Sequence, residues 1–420
     1  MTATLYRAAL PPTPAFVLDE PGLTEFVGRL EGALERFWPN SILSYSFKTN
    51  ALPWLISFMR ERGVWAEVVS DHEYELALAL GYPPEHIVYN GPIKGRERLR
   101  SALAAGSIVN LDSKREVEWA AELGREFPDQ DIAAGLRVNW DLESRVPGES
   151  TTGTAGSRFG FNVENGEFDA AIAQLRGGGV RVGGLHMHRN SLTQSVAVYR
   201  ASATLAAELI QQRGLELDWV DIGGGFFGNL TGSPSFDDYV GAIRECLASA
   251  VDPERTKLIV EPGGSLTAVP IEFHASVLDV KRVGEHTVLV TDTSRTDLDP
   301  LFRRKRPFGV ELGTDATTTV PTQIVSGFTC MEDDRLLTLE DAPALRVGDR
   351  IVFRNVGAYT MSYQSTFIEL PPAVFVRDAN GRYTQVRNRS TVAEYLRGNS
   401  WLPPLEELAP ATDREPFATR

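Results

Sequence analysis

Residues 182–225 read VGGLHMHRNSLTQSVAVYRASATLAAELIQQRGLELDWVDIGGG. An apolar run at 182–187 leads into His186-Met187-His188-Arg189-Asn190-Ser191. A helical pattern fills 195–213, and a second apolar run at 219–222 ends in Gly223-Gly224-Gly225. A short strand, a helix and another short strand, with polar or glycine-rich carboxyl ends, make one unit of an α/β fold. Further strand candidates fall at 42–47, 65–69, 87–89, 107–111, 132–138 and 257–260. Further helical patterns fall at 72–80, 114–127, 168–177 and 236–250. Eight such units over roughly 240 residues predict a (β/α)8 barrel rather than an open, doubly wound sheet, which shares the same alternation.

From about residue 275 the texture changes. Runs at 277–283, 287–292, 323–329, 349–353, 373–377 and 383–387 alternate with period two between turn residues, and helical patterns nearly vanish. The expected division is a barrel at 38–274 and a second, mainly β domain at 275–420. An N-terminal segment at 1–37, with a strand at 13–17 and a helix at 20–37, packs on one or the other. Residues 144–157, rich in Ser, Thr and Gly, read as a mobile loop.

Composition bounds the function. The chain has 420 residues, 42% hydrophobic and 23% charged, with a net charge of −14. That balance argues against nucleic acid and against an anionic membrane surface. It does not exclude a small anionic ligand in a local pocket. No apolar stretch approaches a membrane span, and residues 1–10 lack the apolar core of a signal peptide. The two cysteines, Cys246 and Cys330, are too few for a disulfide framework, so reduced thiols in a cytoplasmic enzyme are expected.

Active sites of β/α barrels lie at the carboxyl ends of the strands, and the polar clusters fall there. Lys48 ends the first strand in Ser44-Tyr45-Ser46-Phe47-Lys48 and is the one lysine of six set in an apolar-aromatic run. In an apolar pocket its pKa should fall, which makes it a nucleophile towards an aldehyde; otherwise it is a lysine snorkelling from a strand end. His186 and His188 share one side of their strand. They could bind zinc, but no third ligand is evident in the sequence; an imidazole face laid on a flat cofactor is a second reading, and two hydrogen-bonded barrel histidines are the third. Gly223-Gly224-Gly225 lets backbone N–H groups converge on an anion, and Glu261-Pro262-Gly263-Gly264 adds a carboxylate and a second glycine pair. Taken together, a lysine, an imidazole, two glycine cradles and a carboxylate are what a pyridoxal-phosphate site needs. No metal is expected.

The order and spacing of these segments resemble the fold-type III pyridoxal-phosphate decarboxylases, the group that holds diaminopimelate, ornithine and arginine decarboxylases. The resemblance runs over about residues 13–372. Tyr45-Ser46-Phe47-Lys48-Thr49-Asn50 is similar to that family's cofactor-lysine segment, and residues 66–73 resemble its next strand end. The resemblance implies that Lys48 carries the cofactor, that His188 stacks on its ring, and that Ser191 binds phosphate with Gly223, Gly224 and Gly225. It implies that Glu261 meets the pyridine nitrogen beside Gly263 and Gly264. Cys330, in Gly327-Phe328-Thr329-Cys330, looks like the cysteine delivered across a dimer interface to donate a proton, with Met331 beside it at the substrate. Tyr359, in Gly357-Ala358-Tyr359, looks like the tyrosine that reaches the phosphate and lies at the substrate. The fold implied is the alanine racemase-like barrel with a β domain, working as a head-to-tail homodimer with shared active sites.

The departures bear on the substrate. The family usually has arginine where Gly264 stands, an acidic residue at Met331, glycine at Asn190, and Phe-Asn-Gly where this chain has Phe367-Ile368-Glu369. The cofactor end is kept and the substrate end is rebuilt. The reaction expected is α-decarboxylation of a modified or atypical amino acid, as in a siderophore or secondary pathway, rather than of free ornithine or diaminopimelate. An amino-acid racemase or epimerase on the same fold is the alternative enzyme. Glu261 counts against it, because alanine racemases place an arginine there. A non-catalytic relative is the third reading, against which Lys48 and Cys330 stand.

Overall fold

The computed structural model describes residues 5–6, 10–227, 232–304 and 308–400, so residues 1–10, read above as lacking a signal peptide, lie mostly outside the described residues. Eight parallel strands form a barrel: Ser41–Ser46, Trp65–Val68, Ile87–Tyr89, Ile108–Leu111, Ala133–Asn139, Arg181–His186, Trp219–Asp221 and Lys257–Val260. Each pairs with the next in chain order, and Lys257–Val260 returns to pair with Ser41–Ser46. Ile42, Val88, Trp219 and Ile259, from the first, third, seventh and eighth strands, pack as a cluster of their own. Trp219 fills the space left by Gly184, where a Cβ would stand 2.1 Å from the indole nitrogen. The barrel is therefore plugged by side chains, and chemistry is confined to its mouth.

Helices follow the first seven strands, ending with Val196–Arg213 and Phe236–Leu247. Their starts are set by local chemistry: Ser70, Ser113 and Ser235 each accept from the backbone N–H three residues on. The eighth strand departs from the expected pattern, because only the single turn Gly264–Thr267 follows it. Pro270 stops it, since proline has no N–H for the next helical hydrogen bond, crowds the carbonyl four residues back and disfavours helical backbone at the residue before. The N-terminal helix Glu20–Phe37 packs there instead. Arg244 donates to the Phe37 carbonyl at 2.8 Å, and the indole of Trp38 donates to the Thr256 carbonyl at 3.0 Å.

The second sheet has ten strands arranged around Ile271–Val283. The strand Ala15–Asp19 lies between Ile271–Val283 and Ala373–Arg377, so the N-terminal segment contributes its strand to the β domain and its helix to the barrel. The strands Val310–Gly313 and Arg335–Pro343 were not expected from sequence. In 335–343 two adjacent leucines and a Glu-Asp pair break the alternation, and its partner Thr319–Ser326 shifts register between Val325 and Ser326. The β domain touches the barrel mouth through Gly357-Ala358-Tyr359. Gly357 donates to Ala268 at 3.2 Å, Tyr359 donates to Thr49 at 2.9 Å, and Asn50 donates to the Gly357 carbonyl at 3.1 Å. Tyr359 adopts left-handed backbone (φ +58°) to do so.

Candidate active site

A cavity of about 740 Å³ opens at the carboxyl ends of the strands. Lys48 lies on one turn of 3-10 helix, Phe47–Thr49, directly after the first strand. Its Nζ donates to Ser46 Oγ at 2.7 Å and to Glu67 Oε2 at 2.7 Å. Burial alone would depress its pKa, but the carboxylates of Glu67 and Glu261 outweigh it and hold the ammonium above the ordinary lysine value. This corrects the sequence expectation of a lowered pKa. Desolvation was visible in the apolar run, whereas the charges on the neighbouring strands were not.

Glu261 follows the eighth strand and is 4% exposed. Asn90 donates to its Oε1, and the Nε2 of His186 lies 3.6 Å from its Oε2. Fold assembly therefore supplies His186 with carboxylate neighbours that the sequence did not reveal, for Asp221 and Glu261 converge on it within 4.8 Å. His188 accepts from the backbone N–H of Gly224 at 3.3 Å. Burial, then Arg137, His186 and Lys48, push its pKa down to about 3, so the ring is a neutral plane at the cavity wall. Gly223 makes room for it: a Cβ there would stand 2.4 Å from the His188 Cβ, on left-handed backbone (φ +77°). A Cβ on Gly224 would stand 2.0 Å from the Glu261 carbonyl oxygen.

Other expected residues are placed less uniformly. Gly224, Gly225, Gly263, Gly264 and Tyr359 all line the cavity. Gly264 differs from its neighbours, because a Cβ there would meet only Ala358, at 3.4 Å, so nothing steric demands glycine. Ser191 is not among the lining residues. Its Oγ accepts from Gln194 N–H at 3.0 Å, and Asn190 and Gln194 line the cavity in its stead. The loop at 144–157 is tied down through Glu149, whose Oε2 accepts from Thr193 N–H at 3.0 Å and whose carbonyl accepts from Leu192 N–H at 3.0 Å. Cys330 and Met331 sit on the turn between Thr319–Ser326 and Arg335–Pro343. Cys330 is exposed, and neither residue lines the cavity of its own chain.

The sequence reading missed Glu67, Asn90, Asn110, Arg137 and Asp221 as members of the site. Each is a polar residue near the carboxyl end of an apolar barrel strand, and each is buried. That pattern is a signal in its own right, because a strand end inside a barrel has no solvent to satisfy such a group. Arg137 pairs with Asp112 at 3.0 Å and lies over the Phe159 ring.

The donor set matches pyridoxal phosphate on chemistry. An amine for its aldehyde, a buried carboxylate for its pyridine nitrogen, a neutral imidazole plane and a glycine-lined wall for its phosphate border one cavity of ligand-binding size. A profile described as the pyridoxal-dependent decarboxylase, pyridoxal binding domain, matches residues 24–268. The chain belongs to the pyridoxal-dependent decarboxylase family. Among curated relatives of this decarboxylase, a probable chloroplastic diaminopimelate decarboxylase of Oryza sativa subsp. japonica is 28% identical, over 92% of this chain and 79% of that protein. The diaminopimelate decarboxylase of Streptomyces coelicolor is 28% identical, over 96% of this chain and 92% of that one. The solved diaminopimelate decarboxylase from M. jannaschii superposes with a TM-score of 0.81 at 23% identity, covering 93% of both chains. A Vibrio vulnificus lysine/ornithine decarboxylase complexed with putrescine gives a TM-score of 0.71 at 22% identity, covering 88% of this chain and 95% of that one. These structural likenesses show the same alanine racemase-like barrel with a β domain. The enzyme is thus a pyridoxal-phosphate-dependent amino-acid decarboxylase. Bound, the cofactor supplies an electron sink for the pair released as carbon dioxide leaves. Among the described residues no helix is long and apolar enough to cross a membrane.

Proposed function

We propose that this decarboxylase prefers an amino acid whose far end carries no free ammonium, and that it works as a homodimer with shared sites. In this reading Lys48 holds the cofactor aldehyde and Glu261 keeps a proton on the pyridine nitrogen. His188 faces the ring, and Gly223, Gly224, Gly225, Gly263 and Gly264 with Tyr359 surround the phosphate. Ser191 acts indirectly, by shaping the loop that presents Asn190 and Gln194. Cys330 of the partner subunit delivers a proton to the substrate carbon, with the partner's Met331 beside it. Cys330 must stay a thiol for this, which suits a cytoplasmic enzyme. Its exposure, and its distance in the fold from its own cavity, support the shared site.

The observation that carries the substrate reading is the charge of the cavity wall. Among the described lining residues the one carboxylate is Glu261, already committed at the floor, and Arg304 adds a positive charge. A distal ammonium brought there finds no carboxylate among this chain's described lining residues beyond Glu261. Gly264 leaves room for a bulkier end. A second reading, diaminopimelate itself, is favoured by the names of the relatives and by Arg304, which suits a distal carboxylate. It also draws on Glu332 and Asp333, exposed beside Met331 on the same turn. The deciding experiment compares kcat/KM for free and N-acylated forms of the same diamino acids, in wild type and in Met331→Asp. A lost charge-assisted hydrogen bond, about 1.5–3 kcal/mol, should cost the free form roughly tenfold or more. If diaminopimelate or another free diamino acid is the best wild-type substrate, or if Met331→Asp leaves the ranking unchanged, the proposal fails.

A further inference from the structure

Beneath Glu261 runs a buried chain of hydrogen bonds. Asp221, the last residue of the seventh strand, is 0% exposed. Its Oδ1 accepts from Gly223 N–H at 2.9 Å and its Oδ2 from Asn110 Nδ2 at 2.8 Å. Asn110 also donates to Asn90 at 2.9 Å, and its own carbonyl accepts from the Trp219 indole at 3.2 Å. Asn90 in turn donates to both Glu67, at 3.1 Å, and Glu261. Oxygens of Asp221 and Glu261 and a ring nitrogen of His186 lie within 4.8 Å of one another. Three carboxyl groups, on Glu67, Asp221 and Glu261, therefore share a buried barrel floor, each no more than 4% exposed, and Lys48 is the ammonium that faces Glu67 and Glu261.

We propose that Asp221 is a neutral carboxylic acid, and that it donates its proton in a hydrogen bond to Glu261, so holding that carboxylate in position. It is a positioning residue. The inference rests on the assignment of Glu261 to the pyridine nitrogen. Two adjacent buried carboxyl groups cannot both ionise cheaply, so one keeps a proton. Geometry decides which. Glu261 faces Lys48 and His186, both of which favour its charge. Asp221 faces Glu261 and Glu67, which oppose ionisation, and otherwise meets His186 and neutral N–H donors. Burial and the Glu261 charge accordingly push the Asp221 carboxyl well above its ordinary range. Glu261 is held below its own against burial, chiefly by His186 and then by Asp221 and Lys48. The two N–H groups that Asp221 accepts from do not exclude an O–H, because each carboxyl oxygen has a further lone pair or proton to use.

The first test is isotope-edited infrared difference spectroscopy on purified enzyme carrying carboxyl-labelled aspartate, with cofactor and after its removal. Wild type minus Asp221→Asn should contain the carbonyl stretch of a protonated carboxylic acid near neutral pH. A difference containing only carboxylate bands overturns the proposal. The second is cofactor affinity, read from absorbance on titrating cofactor-free protein. Asp221→Asn keeps a donor and cannot ionise, so it should bind within about tenfold of wild type, the equivalent of one neutral hydrogen bond. Asp221→Leu, similar in size but without a donor, should bind more weakly than Asp221→Asn. Asparagine behaving no better than leucine would mean that an ionised carboxylate is needed, and the proposal falls. The infrared result on cofactor-free protein does not depend on what Glu261 does to the cofactor. Failure of the Glu261 assignment would show separately, as an unchanged cofactor spectrum in Glu261→Gln.

Discussion

Lys48 Nζ stands 2.7 Å from Glu67 Oε2, and that same oxygen accepts from Ser46 Oγ at 2.5 Å. The amine proposed to attack the cofactor aldehyde, which must be neutral to do so, is thus held as an ammonium by a carboxylate 1% exposed. Glu67 is both the group that opposes deprotonation of Lys48 and the nearest base able to take its proton.

Glu67→Gln should therefore lower the Lys48 pKa, because the foremost interaction raising it is removed while burial remains. The neutral fraction of Lys48 at a given pH then grows. The pH profile for capture of pyridoxal phosphate by cofactor-free enzyme should move to lower pH. Borohydride followed by peptide mapping should place the cofactor on Lys48 in both proteins. A profile that stays put, or moves up, removes Glu67 as the controlling charge; label on another lysine removes Lys48.

Cys330 is exposed on a turn of the β domain and lies outside the cavity of its own chain. Cys330→Ala should lose about 10²–10⁴-fold in kcat, the range for a positioned proton-transfer group. Mixed with Lys48→Ala, it should recover part of the activity, since one of the two hybrid sites then has both residues. Subunit exchange confirmed by mass with no recovery would leave the shared site without support. The turn carrying Cys330 is fixed by Asp334, which accepts from Thr329 Oγ1 at 2.6 Å and from Arg295 N–H at 2.9 Å.

Glu261→Gln keeps the shape of the side chain and removes its charge. The loss expected is that of a charge-assisted hydrogen bond, about 1.5–3 kcal/mol, or roughly ten- to 150-fold in kcat. Single-turnover carbon dioxide release separates this from slower product loss. A rate within a factor of about two of wild type would leave the pyridine nitrogen without its assigned partner.

What the sequence made legible was whatever repeats locally. The strand ends at Lys48, His188, Gly223 and Glu261 are each marked by a polar or glycine-rich break after an apolar run, and the fold gathers all four. What it hid depends on neighbours far apart in the chain. Asn90 and Glu261 are 171 residues apart, and nothing in either segment announces the bond between them. The Lys48 pKa was misread for the same reason, because Glu67 lies on another strand. Gly264 illustrates the converse: it reads like Gly263, yet a Cβ on Gly263 would stand 2.0 Å from Thr49 Oγ1, whereas one on Gly264 has room. Ser191 matched a pattern by position, and only the loop's hydrogen bonding showed its hydroxyl engaged with Gln194.

The neutral imidazole of His188 gives a pH test that needs no cofactor. In the folded enzyme its pKa is pushed down to about 3, first by burial and then by Arg137, His186 and Lys48. In the unfolded chain it should return to about 6.5. Between those values the unfolded state binds more protons, so the contribution of His188 makes stability rise with pH and is lost as pH falls below about 6.5. Above that it is constant. His274, pushed down to about 4 by burial and by Arg350 and Arg377, has the same sign. Glu73, raised by burial to about 7, has the opposite sign, favouring the fold more at low pH and less as pH rises through its folded value. The wild-type profile mixes these, so the clean quantity is the difference between wild type and His188→Asn. Measured by urea unfolding of cofactor-free protein, stability of wild type minus variant should climb from about pH 5 to about pH 6.5 and then level off. A difference that is flat across that window would show His188 titrating alike in both states, and the neutral ring facing the cofactor would lose its physical basis.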